Sequence, residues 1–276
     1  MIDLHTHSTV SDGSYTPTEL VVHSSINGIR HLALTDHDTV DGLDEANIAS
    51  KEHGISLIPG IELSAQWQNR TLHIVGLSID PTDPSFQTTI SEAKRTRADR
   101  ARLIGARLEK AGVKYAYRLT RELAGTDLLG RLHFAKMLVE QGYAKDFKQV
   151  FKRYMVRGKP GYASAEWIDT EAAIKVIHQA GGVAVMAHPA RYSLSMGQLR
   201  KALRDFKYFG GDAMEVVSGN SHPQEIASMS RLADDYSLSA SVGSDFHGPE
   251  KPWVKLGRLQ TLPINISTVW TVHDLW

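Results

Sequence analysis

The chain carries 13 histidines and no cysteine. Many of the histidines fall in short polar motifs beside acidic residues. His5-Thr6-His7-Ser8 stands near the N-terminus, with Asp12 just after it. Thr35-Asp36-His37-Asp38, Gly60-Ile61-Glu62, Leu72-His73, Ala187-His188-Pro189 and Ser244-Asp245-Phe246-His247 follow. Imidazole with carboxylate suits Zn, Fe or Mn, and oxygen-rich corners admit Mn or Mg. One mononuclear site takes three or four protein ligands. Here the candidates are His5, His7, Asp12, His37, Glu62, His73, His188, Asp245 and His247. A set of that size points to two or three metals sharing a bridging carboxylate. The absence of cysteine excludes disulfides, thiolate metal sites and cysteine nucleophiles together.

Residues so far apart in sequence meet only if the intervening elements return to one face. Short apolar runs at 2–4, 31–35, 55–61, 72–77, 183–187, 213–217 and 239–242 read as strands. Helical patterns at 18–27, 40–53, 170–180, 196–206 and 223–236 lie between most of them. This alternation predicts an α/β fold of βα units around a parallel sheet. Seven such strands fit a distorted (β/α) barrel, with an open doubly wound sheet as the alternative. Parallel strands bring their C-terminal ends to one face, and most of the candidate ligands sit at those ends. His-x-His within a strand puts both rings on one side, and Asp245-x-His247 repeats the spacing.

The alternation stops between about 80 and 166. Pro81 and Pro84 punctuate the start, and helical patterns follow at 85–111, 121–124, 132–140 and 146–154. The expectation is a barrel formed by 1–80 and 166–276, with a helical insertion at 81–165 between the fourth and fifth strands. Loops after barrel strands build the active-site face, so the insertion is expected to cap the site.

Each motif alone has an ordinary reading. A lone His-x-His is more often structural than not, and Asp38 or Thr39 could simply cap a helix. Repetition at successive strand ends is what favours a metal centre. His23, His31, His53, His178 and His273 lie on helices or at strand starts and read as surface or packing residues.

The motifs His5-Thr6-His7-Ser8, Thr35-Asp36-His37-Asp38, Ala187-His188-Pro189 and Ser244-Asp245-Phe246-His247 resemble the four motifs of the PHP (polymerase and histidinol phosphatase) family. The resemblance extends through Pro59-Gly60-Ile61-Glu62, Leu72-His73-Ile74-Val75-Gly76 and Gly130-Arg131-Leu132-His133-Phe134-Ala135, and so covers nearly the whole chain. Leu132 stands where the family pattern has Pro. Within the family, the chain is most similar to stand-alone members that act as nucleoside 3′,5′-bisphosphate phosphatases and as 5′-to-3′ exoribonucleases. The resemblance implies a distorted (β/α)7 barrel with a di- or trinuclear centre. It implies one metal on His5, His7, Glu62 and Asp245, and a second on Glu62, His73 and His188, with Glu62 bridging. A third would lie on Asp12, His37 and His247. Mn is the first candidate, with Zn, Fe or Mg as alternatives. The implied reaction is hydrolysis of a phosphate ester by a metal-bridging hydroxide. Asp36, His188 and His222 are the candidates to assist catalysis.

Formal net charge is zero, but it divides unevenly. From Lys94 to Lys159 there are 18 basic and 6 acidic residues, and the rest of the chain has 13 and 25. A basic insertion suits a multiply phosphorylated substrate. Arg97 and Arg100 share a helical face with Arg107, and guanidinium groups bind phosphate in bidentate fashion. Arg131 and His133 precede an apolar helical pattern, where backbone N–H groups favour anions. Lys159 lies in the loop Arg157-Gly158-Lys159-Pro160-Gly161, and Arg191 follows His188 by three residues. Asn220, Ser221 and His222 form a further candidate loop for phosphate or leaving group.

The expected substrate is therefore a 3′,5′-bisphosphorylated nucleoside or a short 5′-phosphorylated RNA. The alternatives are a histidinol-phosphate or other small phosphomonoester phosphatase, and a non-catalytic metal-binding module. Neutrality argues against long duplex nucleic acid. No apolar run reaches the roughly 20 residues a membrane span needs, and no obligate protein partner is evident. The polar N-terminus does not read as a signal peptide, so a cytoplasmic location is expected.

Overall fold

The computed structural model describes residues 1–250 and 252–276. It divides into two compact units, one of Met1–Ile90 with Trp167–Trp276 and one of Ser91–Glu166. No helix among the described residues is long and apolar enough to cross a membrane.

The first unit is a nearly closed barrel. Strands β1 (Ile2–Asp3), β2 (His31–Leu34), β3 (Ser56–Trp67) and β4 (Arg70–Leu77) are followed by a two-residue strand, β5 (Ile168–Asp169). Then come β6 (Val183–Met186), β7 (Ala213–Ser218) and β8 (Ser239–Gly243). Seven of them run in the order β1-β2-β3-β4-β6-β7-β8, while β5 pairs with β3 off this path. Leu4 N donates to Val242 O at 3.1 Å and His7 N to Phe246 O at 3.0 Å, so the first and last strands meet. Helices α1 (Pro17–Ile26) and α2 (Leu43–His53) connect the early strands. Thr16 caps α1 in a capping box with Glu19, an arrangement that satisfies two orphan backbone donors at once.

One expectation is corrected here. The sheet is not wholly parallel, because β4 runs antiparallel to both β3 and β6. The run 62–67, read as the end of a strand at 61, continues β3 to Trp67. The chain then turns at Gln68-Asn69, with Gln68 at φ 54°, and forms a hairpin. The reversal has two consequences. His73 lies near the start of β4 and is paired with Ser64, so it stands at the same end of the barrel as the C-terminal ends of the parallel strands. The chain leaves β4 at Leu77, which pairs with Val183 at the start of β6. The segment leading to the second unit therefore departs from the opposite end. The chain returns at Ile168, paired with Ala65 beyond Glu62.

Register shows which residues share a face. Glu62 pairs with Val75, Val75 with Val185, and Val185 with Ala213. These positions continue into an apolar cluster with Leu4, Ala33 and Ile58, which underlies the polar residues. The other face packs Leu32, Leu34, Leu63, Ile74, Met186 and Met214 against helical residues such as Leu20, Ile177 and Leu203. The later helices on this side are α7 (Thr170–Gln179), α8 (Met196–Tyr208) and α9 (Pro223–Asp235), which follow those of the insertion in the chain.

The second unit contains most of α3 (Pro84–Lys110), then α4 (Ala116–Ala124), α5 (Arg131–Glu140) and the short α6 (Phe147–Val150). It has its own core, including Ile104, Leu108, Phe134, Leu138 and Val150. The helix expected over 146–154 is instead α6 running into a π turn at Phe151–Met155. Leu132 occupies the second position of α5, after the cap Gly130. A first helical turn accepts Pro and Leu alike, so the departure from the family pattern leaves this helix start intact.

Candidate metal centre

Glu62 lies at the centre of the polar cluster and is fully buried. Its Oε2 lies 2.8 Å from His37 Nδ1 and 3.3 Å from both His5 Nε2 and His7 Nε2. Its Oε1 lies 2.8 Å from His73 Nδ1 and 3.1 Å from His188 Nε2. One carboxylate thus faces two sets of imidazoles through its two oxygens. Asp245 Oδ1 is 3.3 Å from His7 Nε2 and 3.7 Å from His5 Nε2. Asp12 Oδ1 is 3.3 Å from His247 Nε2 and 3.8 Å from His37 Nε2. Three groups have ligand atoms close enough to share an ion: His7-Asp12-His37-His247, His5-His7-Asp245 and His37-Glu62-His73. These groups include eight of the nine expected ligands, and the ninth, His188, lies against Glu62 Oε1. His7 and His37 each belong to two groups, where the expected division shared only Glu62.

The local backbone is unusual where these side chains are presented. Asp38, His188 and Asp245 have φ values of 54°, 32° and 55°, a region non-glycine residues rarely occupy. Asp38 is held by Ser64, whose N and Oγ donate to its carboxylate at 2.7 and 3.0 Å.

Electrostatics follow from burial and crowding. Burial pushes the Glu62 carboxyl up, but His37, His73 and His5 outweigh it and hold the group well below the usual carboxylate range. Asp12 and Asp245 are likewise held low by neighbouring imidazoles against burial. Burial, with His247 and His37 beside it, lowers His7 to about 3. Burial lowers His73 to about 4, against the pull of Glu62. His5 differs: burial pulls it down, but Glu215 and Glu62 raise it well above the ordinary histidine value.

The donor set fits divalent cations. Asp12 Oδ1 and Glu62 Oε2 are buried and make no aligned hydrogen bond, although ring nitrogens crowd round them. His5 Nε2 and His7 Nε2 are only 3.1 Å apart. Buried carboxylate oxygens and ring nitrogens at such separations need positive charge between them. Neutral His7 and His73 offer lone pairs at neutral pH without first losing a proton.

The other expected site residues have varied placements. Asp36 is saturated: it accepts from Ser8 N at 2.8 Å, Ser8 Oγ at 2.6 Å and Ser11 Oγ at 2.6 Å. It holds the turn that carries Asp12. Arg191 Nη1 donates to Asp245 Oδ2. A Cβ on Gly219, at φ 56°, would collide with the Arg191 guanidinium, so the loop after β7 closes against Arg191 and Asp245. Ser221 Oγ donates to Ser218 O at 2.9 Å and lies 2.7 Å from Glu225 Oε1, which fixes the same loop. Asn220 and His222 are exposed there.

In the second unit, Arg97 is buried, at 4% exposure. Arg100 Nε donates to Ala163 O at 3.2 Å, and Arg107 donates to Tyr162 O. These two arginines of α3 thus staple the chain that follows the π turn. His133 Nδ1 accepts from Gly130 N at 3.0 Å, and Arg131 and Lys159 are exposed.

Sequence reasoning missed Glu215. Its carboxylate contacts His5 Nδ1 and His188 N, both at 2.6 Å. The available signal was one acidic residue inside the apolar run Ala213-Met214-Glu215-Val216-Val217. Tyr192 was missed too; its hydroxyl accepts from His73 N at 2.7 Å.

A family model described as the PHP domain matches residues 3–158. A 5′-3′ exoribonuclease of Haemophilus influenzae is 44% identical over 268 residues, covering 97% of this chain and 97% of that protein. A 3′,5′-nucleoside bisphosphate phosphatase of Chromobacterium violaceum is 40% identical over 270 residues, covering 98% and 95% respectively. Among solved structures, one described as an amidohydrolase from Chromobacterium violaceum, with bound sulfate and no metal, has a TM-score of 0.94. It is 39% identical and covers 99% of this chain and 95% of that one.

Proposed function

The chain belongs to the PHP-domain family, and from that premise we propose that it is a metal-dependent phosphoesterase acting on 3′,5′-bisphosphorylated nucleosides and on short RNA bearing a 5′-phosphate. The observation that carries this reading is Glu62: a buried carboxylate whose two oxygens face five imidazoles from four separate segments of the barrel. His5, His7, Glu62 and Asp245 would hold one divalent ion, Glu62, His73 and His188 a second, and Asp12, His37 and His247 a third, with Mn²⁺ the first candidate. When bound, such ions supply an activated water at neutral pH and offset charge on the phosphoryl oxygens.

The chain's own residues do the remaining work. Arg191, braced on Asp245, turns its other N–H groups to a phosphoryl oxygen. His222, exposed on the loop beside it, donates a proton to the leaving sugar oxygen. Asp36 is taken up by Ser8 and Ser11 and does not serve as that acid. Arg131, His133 and Lys159 hold the second phosphate; the 18 basic and 6 acidic residues between Lys94 and Lys159 support this. The two substrate classes are those named for relatives at 44% and 40% identity. A basic insertion disfavours histidinol phosphate, whose amine is cationic.

The test is a phosphate-ester screen on protein whose metal content is measured in the same sample. Adenosine 3′,5′-bisphosphate should release its 3′-phosphate, a 5′-phosphorylated RNA oligomer should release nucleotides, and histidinol phosphate should turn over far more slowly. If neither of the first two yields product with Mn²⁺, Zn²⁺, Fe²⁺ or Mg²⁺, the reading fails.

A further inference from the structure

Glu215 lies on β7, on the inner face of the barrel, and is 2% exposed. Its position follows from register: Ala213 pairs with Val185, and two residues on along the strand the side chain returns to the same face. The carboxylate spans two other elements. Oε1 receives His5 Nδ1 at 2.6 Å, and Oε2 receives the backbone N–H of His188 at 2.6 Å. Room for this is kept by Gly243 of β8. A Cβ there would collide with His5 Cβ and lie 2.7 Å from Glu215 Oε1.

The two contacts do different things. A carboxylate accepts only, so His5 must present an N–H at Nδ1. In the neutral ring that a metal requires, this leaves Nε2 as the lone-pair nitrogen, and Nε2 is the atom facing His7, Glu62 and Asp245. The second contact fixes the backbone of His188, whose φ of 32° is sparsely populated. Its ring nitrogen Nε2 meets the other oxygen of Glu62.

We propose that Glu215 is a positioning residue that sets the ring tautomer of His5 and the backbone pose of His188 together, so that one carboxylate aligns both sides of the Glu62 bridge. The inference rests on reading His5, His188 and Glu62 as metal ligands. The nine ligands and their bridging carboxylate do not by themselves assign Glu215 any role.

Glu215→Gln tests it, because an amide offers one acceptor and one donor where two N–H groups arrive. If its oxygen takes His188 N–H, its NH₂ drives the His5 proton to Nε2. If its oxygen takes His5, its NH₂ abuts His188 N–H. Metal-free wild type and variant are titrated with Mn²⁺ against a competing chelator, and melting of the metal-free proteins is followed in parallel. Loss of an outer partner of a ligating histidine weakens metal binding by about 10–100-fold. The expected result is a loss of that size for the ions on the Glu62 bridge, no change at the Asp12-His37-His247 set, and metal-free melting close to wild type.

Wild-type affinity in Glu215→Gln overturns the proposal. So does a drop in metal-free melting with all Mn²⁺ affinities retained, which would mean a purely structural role. If Glu215→Gln does not fold, Glu215→Asp decides. It keeps the charge on a shorter stem that cannot reach both partners, so reduced bridge affinity supports the proposal and unchanged affinity overturns it. Wild-type protein that binds no divalent cation overturns the ligand reading itself. Because the readout is metal binding, failure to hydrolyse nucleotides would leave this result standing.

Discussion

The barrel cluster and the helical insertion are both rich in ionisable groups, yet burial makes them behave oppositely. In the barrel, Glu62, His5 and His7 are fully buried, and each imidazole or carboxylate sets the protonation of the next. In the insertion, Arg102 and Asp99 pair at 2.7 Å, but their side chains are 63% and 66% exposed. The Arg121–Asp127 pair is similarly open. Water screens these pairs, whereas burial leaves the barrel groups dependent on one another and on added positive charge. A count of charged residues does not distinguish the two regions. Burial concentrates ligands in one and leaves the other a basic surface suited to holding anions.

The largest expected effect comes from removing the shared carboxylate. Glu62→Gln takes a charge from both sets of imidazoles, and phosphoesterase activity should fall by more than the roughly 100-fold typical of an outer partner. Retention of Mn²⁺ after gel filtration should fall with it. Near-wild-type turnover would remove Glu62 from the centre of the site.

Acid should separate the two regions next. In metal-free protein, His7 and His73 are lowered to about 3 and about 4 by burial, so between pH 6.5 and about 4 the unfolded chain binds protons the folded chain refuses. Stability then falls as pH falls through that window. Asp3 opposes this, because burial raises it to about 6 and the folded chain takes up its proton first. Asp36, also raised by burial, and His5, raised by Glu215 and Glu62, act in the same direction as Asp3, but the large downward shifts of His7 and His73 set the sign. Melting of metal-free protein at pH 7 and pH 5 checks the sign, and equal or higher stability at pH 5 would contradict it. Saturating metal should oppose the loss: at 100 times its Kd a single ion adds about 2.7 kcal/mol.

Arg131→Ala tests the insertion as an anion-holding surface. A hydrogen bond to a charged group contributes about 1.5–3 kcal/mol, so KM for adenosine 3′,5′-bisphosphate should rise by about 10- to 100-fold with kcat little changed. An unchanged KM would leave the positive charge without a role in binding this substrate. The smallest effect is expected at Arg102→Ala, where an exposed ion pair contributes at most about 1 kcal/mol. Thermal melting should barely move, and a large drop would show that the insertion's charges are coupled in the way the barrel's are.

Much of this site was legible in the sequence. Residue type and placement on or just past apolar runs marked all nine candidates, although His5-Thr6-His7 and Asp245-Phe246-His247 lie beyond β1 and β8 and not within a strand. The helices followed from periodicity to within a few residues, apart from the π turn at Phe151–Met155, the longer α4 and a short final helix at Val269–Val272. The asymmetry of charge was likewise a property of composition.

Strand direction, partner choice and burial were decided only in three dimensions. β4 reverses because β3 continues to Trp67 and turns back, and no local pattern in 62–67 announces that hairpin. Asp36 and Asp38 flank His37 and look like equals of the ligands, but Ser8, Ser11 and Ser64 consume them. Arg100 reads as a phosphate binder on a helical face shared with Arg107, yet carbonyls 63 and 55 residues away take N–H groups of the two arginines. Glu215 looked like one acid in an apolar strand until the fold placed His5 and His188 against it. Spacing along a chain constrains neighbours within a turn or a strand. Which distant donor meets which acceptor depends on packing the whole barrel, and that packing turns a list of ligands into a site.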